Sequence, residues 1–128
     1  MSAVFGEAVY SALSADGTVS GLVGTRIYPN VMPEGSDLPA VVYSVISDVP
    51  ENSFTGAYAD RLRGARVQVD CYARPSTAGG AYRQAETLAE AVDACLTSQL
   101  TCWREVSRDL YDDVTQYHRV SIDFAVWR

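Results

Sequence analysis

Hydrophobic and polar residues alternate most strictly between Ala65 and Ala73. Val67, Val69, Cys71 and Ala73 fall on one side there, and Arg66, Gln68, Asp70 and Tyr72 on the other. A period of two belongs to a strand with one face on a core, so this segment reads as the central strand of a single sheet. A helical period appears twice. Val4, Phe5, Ala8, Val9, Ala12 and Leu13 predict a helix over about residues 3 to 15, with Ser2 as its cap. Tyr82, Ala85, Leu88, Ala89, Val92, Cys95 and Leu96 predict another over about 81 to 97, where the small Ala85 and Ala89 allow a close approach to the sheet. Asp16-Gly17 ends the first helix, and Thr18 caps a short turn carrying Val19, Leu22 and Val23 before Gly24 closes it.

The other segments read as strands and loops. Arg26 to Pro29 is a short strand that its proline confines to an edge or a strand end. Ala40 to Asp48 is apolar on both sides, with Val41, Tyr43 and Val45 on one and Val42 and Ile46 on the other, as in an inner strand. The last third is a hairpin: Thr101 to Tyr111 with Trp103 and Leu110 as anchors, a turn at Asp112-Asp113, and Tyr117 to Trp127 with Val120, Ile122, Phe124 and Val126 on one face. Residues 49 to 60 have no period, and their aromatics Phe54 and Tyr58 must fold back or dock on a partner. Arg61 and Arg63 are out of phase with the central strand, being on the side of Val67 and Val69. Either a bulge at Gly64 resets the register, or residues 58 to 64 overhang the domain as an arm with no buried face to protect. The arm is preferred. The expected architecture is one α+β domain over 1–128, an antiparallel sheet of four to five strands with two helices packed on it and an extended loop or arm at 49–64. Its open sheet face and strand edges need a partner or a protective device.

A chain of 128 residues is the size of one domain, and 48% hydrophobic with 20% charged residues is ordinary globular usage. The net charge of −6 repels a phosphate backbone, which argues against sequence-reading contact with nucleic acid, yet it suits a wall past which DNA slides without sticking. All ten basic residues are arginine, a bias of composition that also favours bidentate carboxylate pairing between subunits. The three cysteines, Cys71, Cys95 and Cys102, have no metal-ligand spacing and read as small buried hydrophobes in a reducing cytoplasm; no targeting segment or membrane span is read.

Motifs for phosphate loops, dinucleotide binding, nucleophile elbows, zincins and calcium loops are absent from the sequence. Asp112-Asp113 reads as turn chemistry, Asp70 as a partner of Arg66 or of a neighbouring chain, and His118 as structural. The competing reading is a small enzyme or ligand-binding domain using the open sheet face, with His118, Tyr72 and Asp70 as its site.

Three stretches carry a resemblance: Leu22-Val23-Gly24-Thr25-Arg26-Ile27-Tyr28-Pro29, then Leu38-Pro39-Ala40-Val41-Val42-Tyr43, then Arg66 to Arg74, with the closing Ala125-Val126-Trp127. In order and spacing they resemble the tail-completion proteins of bacteriophages and gene transfer agents, also called tail terminators or head-tail joining proteins. The resemblance implies a structural virion protein without catalytic residues or cofactor. It implies a ring, typically of six copies, at the head-proximal end of the tail tube. Such a ring stops tube polymerisation and joins the tail to the neck, with DNA passing through its lumen unbound. The implied partners are further copies of the chain, the tail tube protein and a neck or head-completion protein, in the virion after assembly in the host cytoplasm. A neighbouring neck component, a head-completion or stopper protein, is the alternative within the class. A ring needs two different patches that meet. The expected pair is Tyr58, Arg61 and Arg63 against the acidic helix face of Glu86, Glu90 and Asp93. Glu51, Asn52 and Phe54 are the expected contact with tube or neck.

Overall fold

The computed structural model describes residues 3–35, 37–50, 63–74, 80–112 and 117–127. Helices α1 (Ala3–Ala15) and α2 (Gly17–Val23) precede strands β1 (Ile27–Pro29), β2 (Ala40–Pro50) and β3 (Arg63–Ala73). Helix α3 (Ala81–Gln99), β4 (Thr101–Asp112) and β5 (Tyr117–Trp127) complete the order. The five strands form one sheet in the order β1-β2-β3-β5-β4. The fold is α+β, as expected, and β3 is central. The sheet is mixed rather than wholly antiparallel, because β1 runs parallel to β2, Ile27 beside Val41. A hairpin turn cannot make a parallel pair; the chain from Asn30 to Pro39 crosses over, and Arg26 donates from Nε to the Pro39 carbonyl at 2.9 Å.

The strand alternation decides what is buried. Val67, Val69, Cys71, Val120, Ile122, Phe124 and Val126 form the inner face of β3 and β5, under α3. Val9 and Leu13 of α1 close the core over the β1-β2 end, and Val19 and Val23 of α2 pack against α1 and α3. Three helices therefore share one face of the sheet, where two were expected; the segment read as a short turn is the seven-residue α2. Its cap is Asp16 rather than Thr18. The Asp16 carboxylate accepts from the amides of Thr18 and Val19, which holds its pKa below the usual value. α3 starts at Gly80 without a side-chain cap.

Strand lengths and bulges correct the expected boundaries. β2 continues to Pro50, which pairs with Arg63, so the segment read as loop from 49 begins as paired strand. No bulge occurs at Gly64: β3 pairs with β5 in unbroken register from Gly64 to Ala73. The extra residue is in β2 instead, between Val45 and Ser47, and a second irregularity lies in β4 between Arg104 and Val106. Asp112 ends β4 as the pair of Tyr117, so it belongs to the strand and not to the turn. Trp103 and Leu110 are not core anchors. They are 48% and 38% exposed, because both point from the edge strand β4 to the sheet face opposite the helices, and Cys102 is the residue through which it enters the core.

Candidate assembly surfaces

The face of the sheet opposite the helices is built by the other half of the alternation: Arg66, Gln68, Asp70 and Tyr72 of β3 beside Arg119, Ser121 and Asp123 of β5. These residues satisfy one another. Asp123 is almost fully buried, yet it takes Arg108 of β4 at 2.7 Å and Arg66 at 3.7 Å, and Arg66 reaches Glu105 at 3.1 Å. Gln68 donates to the Ser121 hydroxyl at 2.7 Å and to Asp70 at 3.5 Å. Of the two partners expected for Asp70, Arg66 or a neighbouring chain, Arg66 turns instead toward the β4 side, where two carboxylates meet it. A charge held on two sides in a half-dry site is stable only while both partners stay, so this network fixes the β3-β5-β4 register from outside the core.

At one end of this face lies a cleft of about 460 Å³ lined by Val31, Met32, Tyr72, Leu110, Tyr117 and Arg119. Tyr72 and Tyr117 meet edge to face at 6.5 Å, and the Arg119 guanidinium sits 5.9 Å over the Tyr72 ring. Arg119 also donates to the Tyr72 hydroxyl at 3.4 Å; that bond, and the carboxylates of Asp70 and Asp112, hold its pKa above the ordinary value. The cleft offers aromatic walls, one cation held over a ring and the carboxylate of Asp112.

The triad of the competing enzymatic reading is split by the sheet. Tyr72 and Asp70 are on the outer face, whereas His118, paired with Ala73, is on the inner side, 4.7 Å from the Tyr111 ring and 6.2 Å from that of Tyr82. Period-two alternation forbids any closer meeting. The thiols are equally unsuited to chemistry: all three are free and buried, and Cys95 and Cys102 donate to the carbonyls of Ala12 and Leu96, both at 3.2 Å. Burial pushes the Cys95 pKa up to about 12 and that of Cys102 to about 11. Among the described residues no three His, Cys, Asp or Glu side chains stand together as a metal site, and no helix is long and apolar enough to cross a membrane.

Of the residues expected to join subunits, the structure brings Glu86, Glu90 and Asp93 together on α3, beside β4. Asp93 takes Arg104 at 3.4 Å and accepts from the Thr97 hydroxyl at 3.1 Å. Glu86 shares a hydrogen bond with Asp109 of β4, and that bond, its partial burial and the charges of Asp109 and Glu90 raise its pKa, with Arg104 opposing. Arg63 begins β3 as the pair of Pro50, and its side chain lies outside the described residues. Tyr58, Arg61, Glu51, Asn52 and Phe54 lie outside them as well. Sequence reasoning placed β4 but misjudged its surface: Trp103 and Leu110, read as anchors, are exposed, and Val106 is exposed beside them. The available signal was the interleaving of Arg104, Glu105, Arg108 and Asp109, too many charges for a strand buried on either face.

A small α+β domain whose outer sheet face is closed by its own ion pairs, and whose exposed apolar residues line a strand edge, is a protein of assembly surfaces. The model of the tail completion protein gp17 family matches residues 7–128, and the chain belongs to that family of structural tail proteins. Among solved structures, the fold is similar to a chain of the "Virion of native gene transfer agent (GTA) particle", with a TM-score of 0.65 at 20% identity, covering 99% of this chain and 98% of that one. No curated protein sequence matches.

Proposed function

We propose that the chain is the subunit of a ring, six copies strong, at the head-proximal end of a phage-type tail tube. There it stops tube polymerisation, joins the tail to the neck and acts without catalysis. The observation that carries this reading is family membership across residues 7–128. The negative net charge supports it, being suited to a lumen through which DNA slides without binding, and so does the exposed apolar edge of β4. Electron microscopy of particles made without the protein tests it. Overlong tails are the expected result; heads that leak DNA under tails of normal length would make the chain a stopper of the neck instead.

Within that ring, Tyr58, Arg61 and Arg63 of one copy meet Glu86, Glu90 and Asp93 of the next, a pairing supported by opposite charge and by the raised pKa of Glu86, which a guanidinium nearby would relieve. Rings that survive charge reversal at Arg61 and Arg63 would refute that pairing. Glu51, Asn52 and Phe54 contact the tube or neck, partners that share the virion with this chain. Deleting residues 51 to 57 should give tails of uncontrolled length or heads without tails, and normal particles would sink the assignment.

A further inference from the structure

The sheet is open at both ends, and the two openings match. β4 is bonded to β5 alone, so among the described residues the far edge of Thr101–Asp112 has no strand beside it. At the other end the three-residue β1 covers β2 only from Val41 to Tyr43. There the Val41 amide donates to the Arg26 carbonyl at 3.0 Å, and the Asn30 amide donates to the Tyr43 carbonyl at 2.8 Å. Alternate residues of β2 thus turn their backbone groups outward. Val45 comes next in that set, and from Ser44 onward the described backbone of β2 is bonded only to β3.

We propose that β4 of one copy pairs antiparallel with residues 44–49 of β2 in the next copy, so that the sheet runs on from subunit to subunit. This rests on the ring reading above and assigns its subunit contact. Three considerations select a second copy as the occupant. The first is direction. Between β2 and β4 the chain reverses three times, through β3 and β5, so β4 runs opposite to β2. A rotation about an axis along the strands preserves each strand's sense, and every junction of the ring is then antiparallel. The second is surface: Ile46, the extra residue of the β2 bulge, is 53% exposed, and an antiparallel neighbour would bring it to the exposed Val106 and Trp103 of β4. The third is length: edges are otherwise blunted by proline, charge, bulges or shortness, whereas β4 runs for twelve residues without proline and with one bulge, and its Arg104, Glu105, Arg108 and Asp109 are engaged within the chain by Asp93, Arg66, Asp123 and Glu86.

Disulfide trapping in assembled tails tests the proposal, because the native thiols are buried and silent. Ile46→Cys is combined in turn with Trp103→Cys, Val106→Cys and Arg108→Cys, and each variant is first checked for a wild-type melting profile. At least one pair should give, on mild oxidation, a ladder of linked chains ending at the copy number of the ring, and neither single variant should. If rings sit on the tails but no pair cross-links, the edge pairing is wrong and the ring reading stands. If tails carry no ring, both fall. A dimer from Val106→Cys alone would mean β4 meets its own copy about a two-fold axis, and a cross-link to another virion protein would give the edge to that partner. Either result overturns the proposal.

Discussion

Replacing Glu86 by Gln should stabilise the unassembled domain at neutral pH and leave it unchanged in acid. Glu86 on α3 and Asp109 on β4 share a hydrogen bond that at most one proton can serve, with Glu90 adding like charge one turn along the helix. The folded-state pKa of Glu86 is raised, mainly by that bond, so the folded chain holds a proton that the unfolded chain has released. Above the unfolded value the unfolded state binds fewer protons, so stability falls as pH rises through the window between the two values. Well above both values the full penalty is present; well below the ordinary glutamate value of about 4.3 it is gone, since both states are protonated there. The site is half-exposed and screened, which limits the penalty to about 0.5–1 kcal/mol. Unfolding entropy of about 2.1 cal/mol/K per residue over 128 residues makes that about 2–4 °C in Tm. The glutamine keeps shape and hydrogen bond but not charge. Denaturant titrations of both proteins from pH 4 to pH 8 measure the effect, and Asp109→Asn should reproduce it without adding to it. A gain equal at both ends of the pH range, or a loss at pH 8, would refute the shared-proton account.

Four further outcomes follow from the packing. Phe124→Ala, at the fully buried centre of β5, should cost about 3–5 kcal/mol, read as a drop in denaturant midpoint with unchanged slope. Asp16→Ala should cost about 1 kcal/mol at pH 7 and nothing near pH 2, because the lowered pKa of Asp16 gives a cap whose stabilisation is present above the unfolded value and lost as the carboxylate protonates. Asp123→Ala should cost about 1–2 kcal/mol, discounted for the exposure of Arg66 and Arg108, and a double-mutant cycle with Arg108→Ala should recover most of it as coupling. Cys71, Cys95 and Cys102 should resist an aromatic disulfide reagent in the native state and react only as fast as the domain opens.

What could be read from the sequence follows from where one period was unambiguous. Val67 to Ala73 and Val120 to Val126 alternate against a core on one side, so a slip of one residue would have exposed every apolar side chain, and both strands lie where the pattern puts them. Leu88, Val92 and Leu96 fix α3 in the same way. The parallel β1 was not legible, because three residues ending in Pro29 carry no direction; only the Arg26 and Asn30 backbone bonds to β2 decide it. Nor was the bulge in β2: apolar residues on both sides of Val41 to Ile46 fit either phase, and Ala40 and Val42 are buried on the outer face. Trp103 and Leu110 misled for a related reason. Hydrophobicity was taken as burial, whereas both residues lie on the uncovered face of an edge strand. Among the candidate interface residues, the grouping of Glu86, Glu90 and Asp93 on one helix face was legible; their engagement with Asp109 and Arg104 depends on a strand paired from elsewhere in the chain.

That engagement bears on the proposed junction between copies at the β4 edge. Asp93 and Arg104 neutralise each other at the α3-β4 seam, and Arg108 and Arg66 are held by Asp123 and Glu105, so the charges nearest the β4 edge are already paired within the chain. The more exposed of these pairs, Asp93 with Arg104, is worth about 1 kcal/mol or less and exchanges readily, unlike those on the buried Asp123. A neighbour that offers backbone groups together with a carboxylate or guanidinium can therefore replace it at small cost, whereas a stray strand without those charges meets a ladder interrupted by the bulge at Glu105. Selectivity for the correct neighbour then comes from the side chains flanking the edge, and adhesion from the backbone.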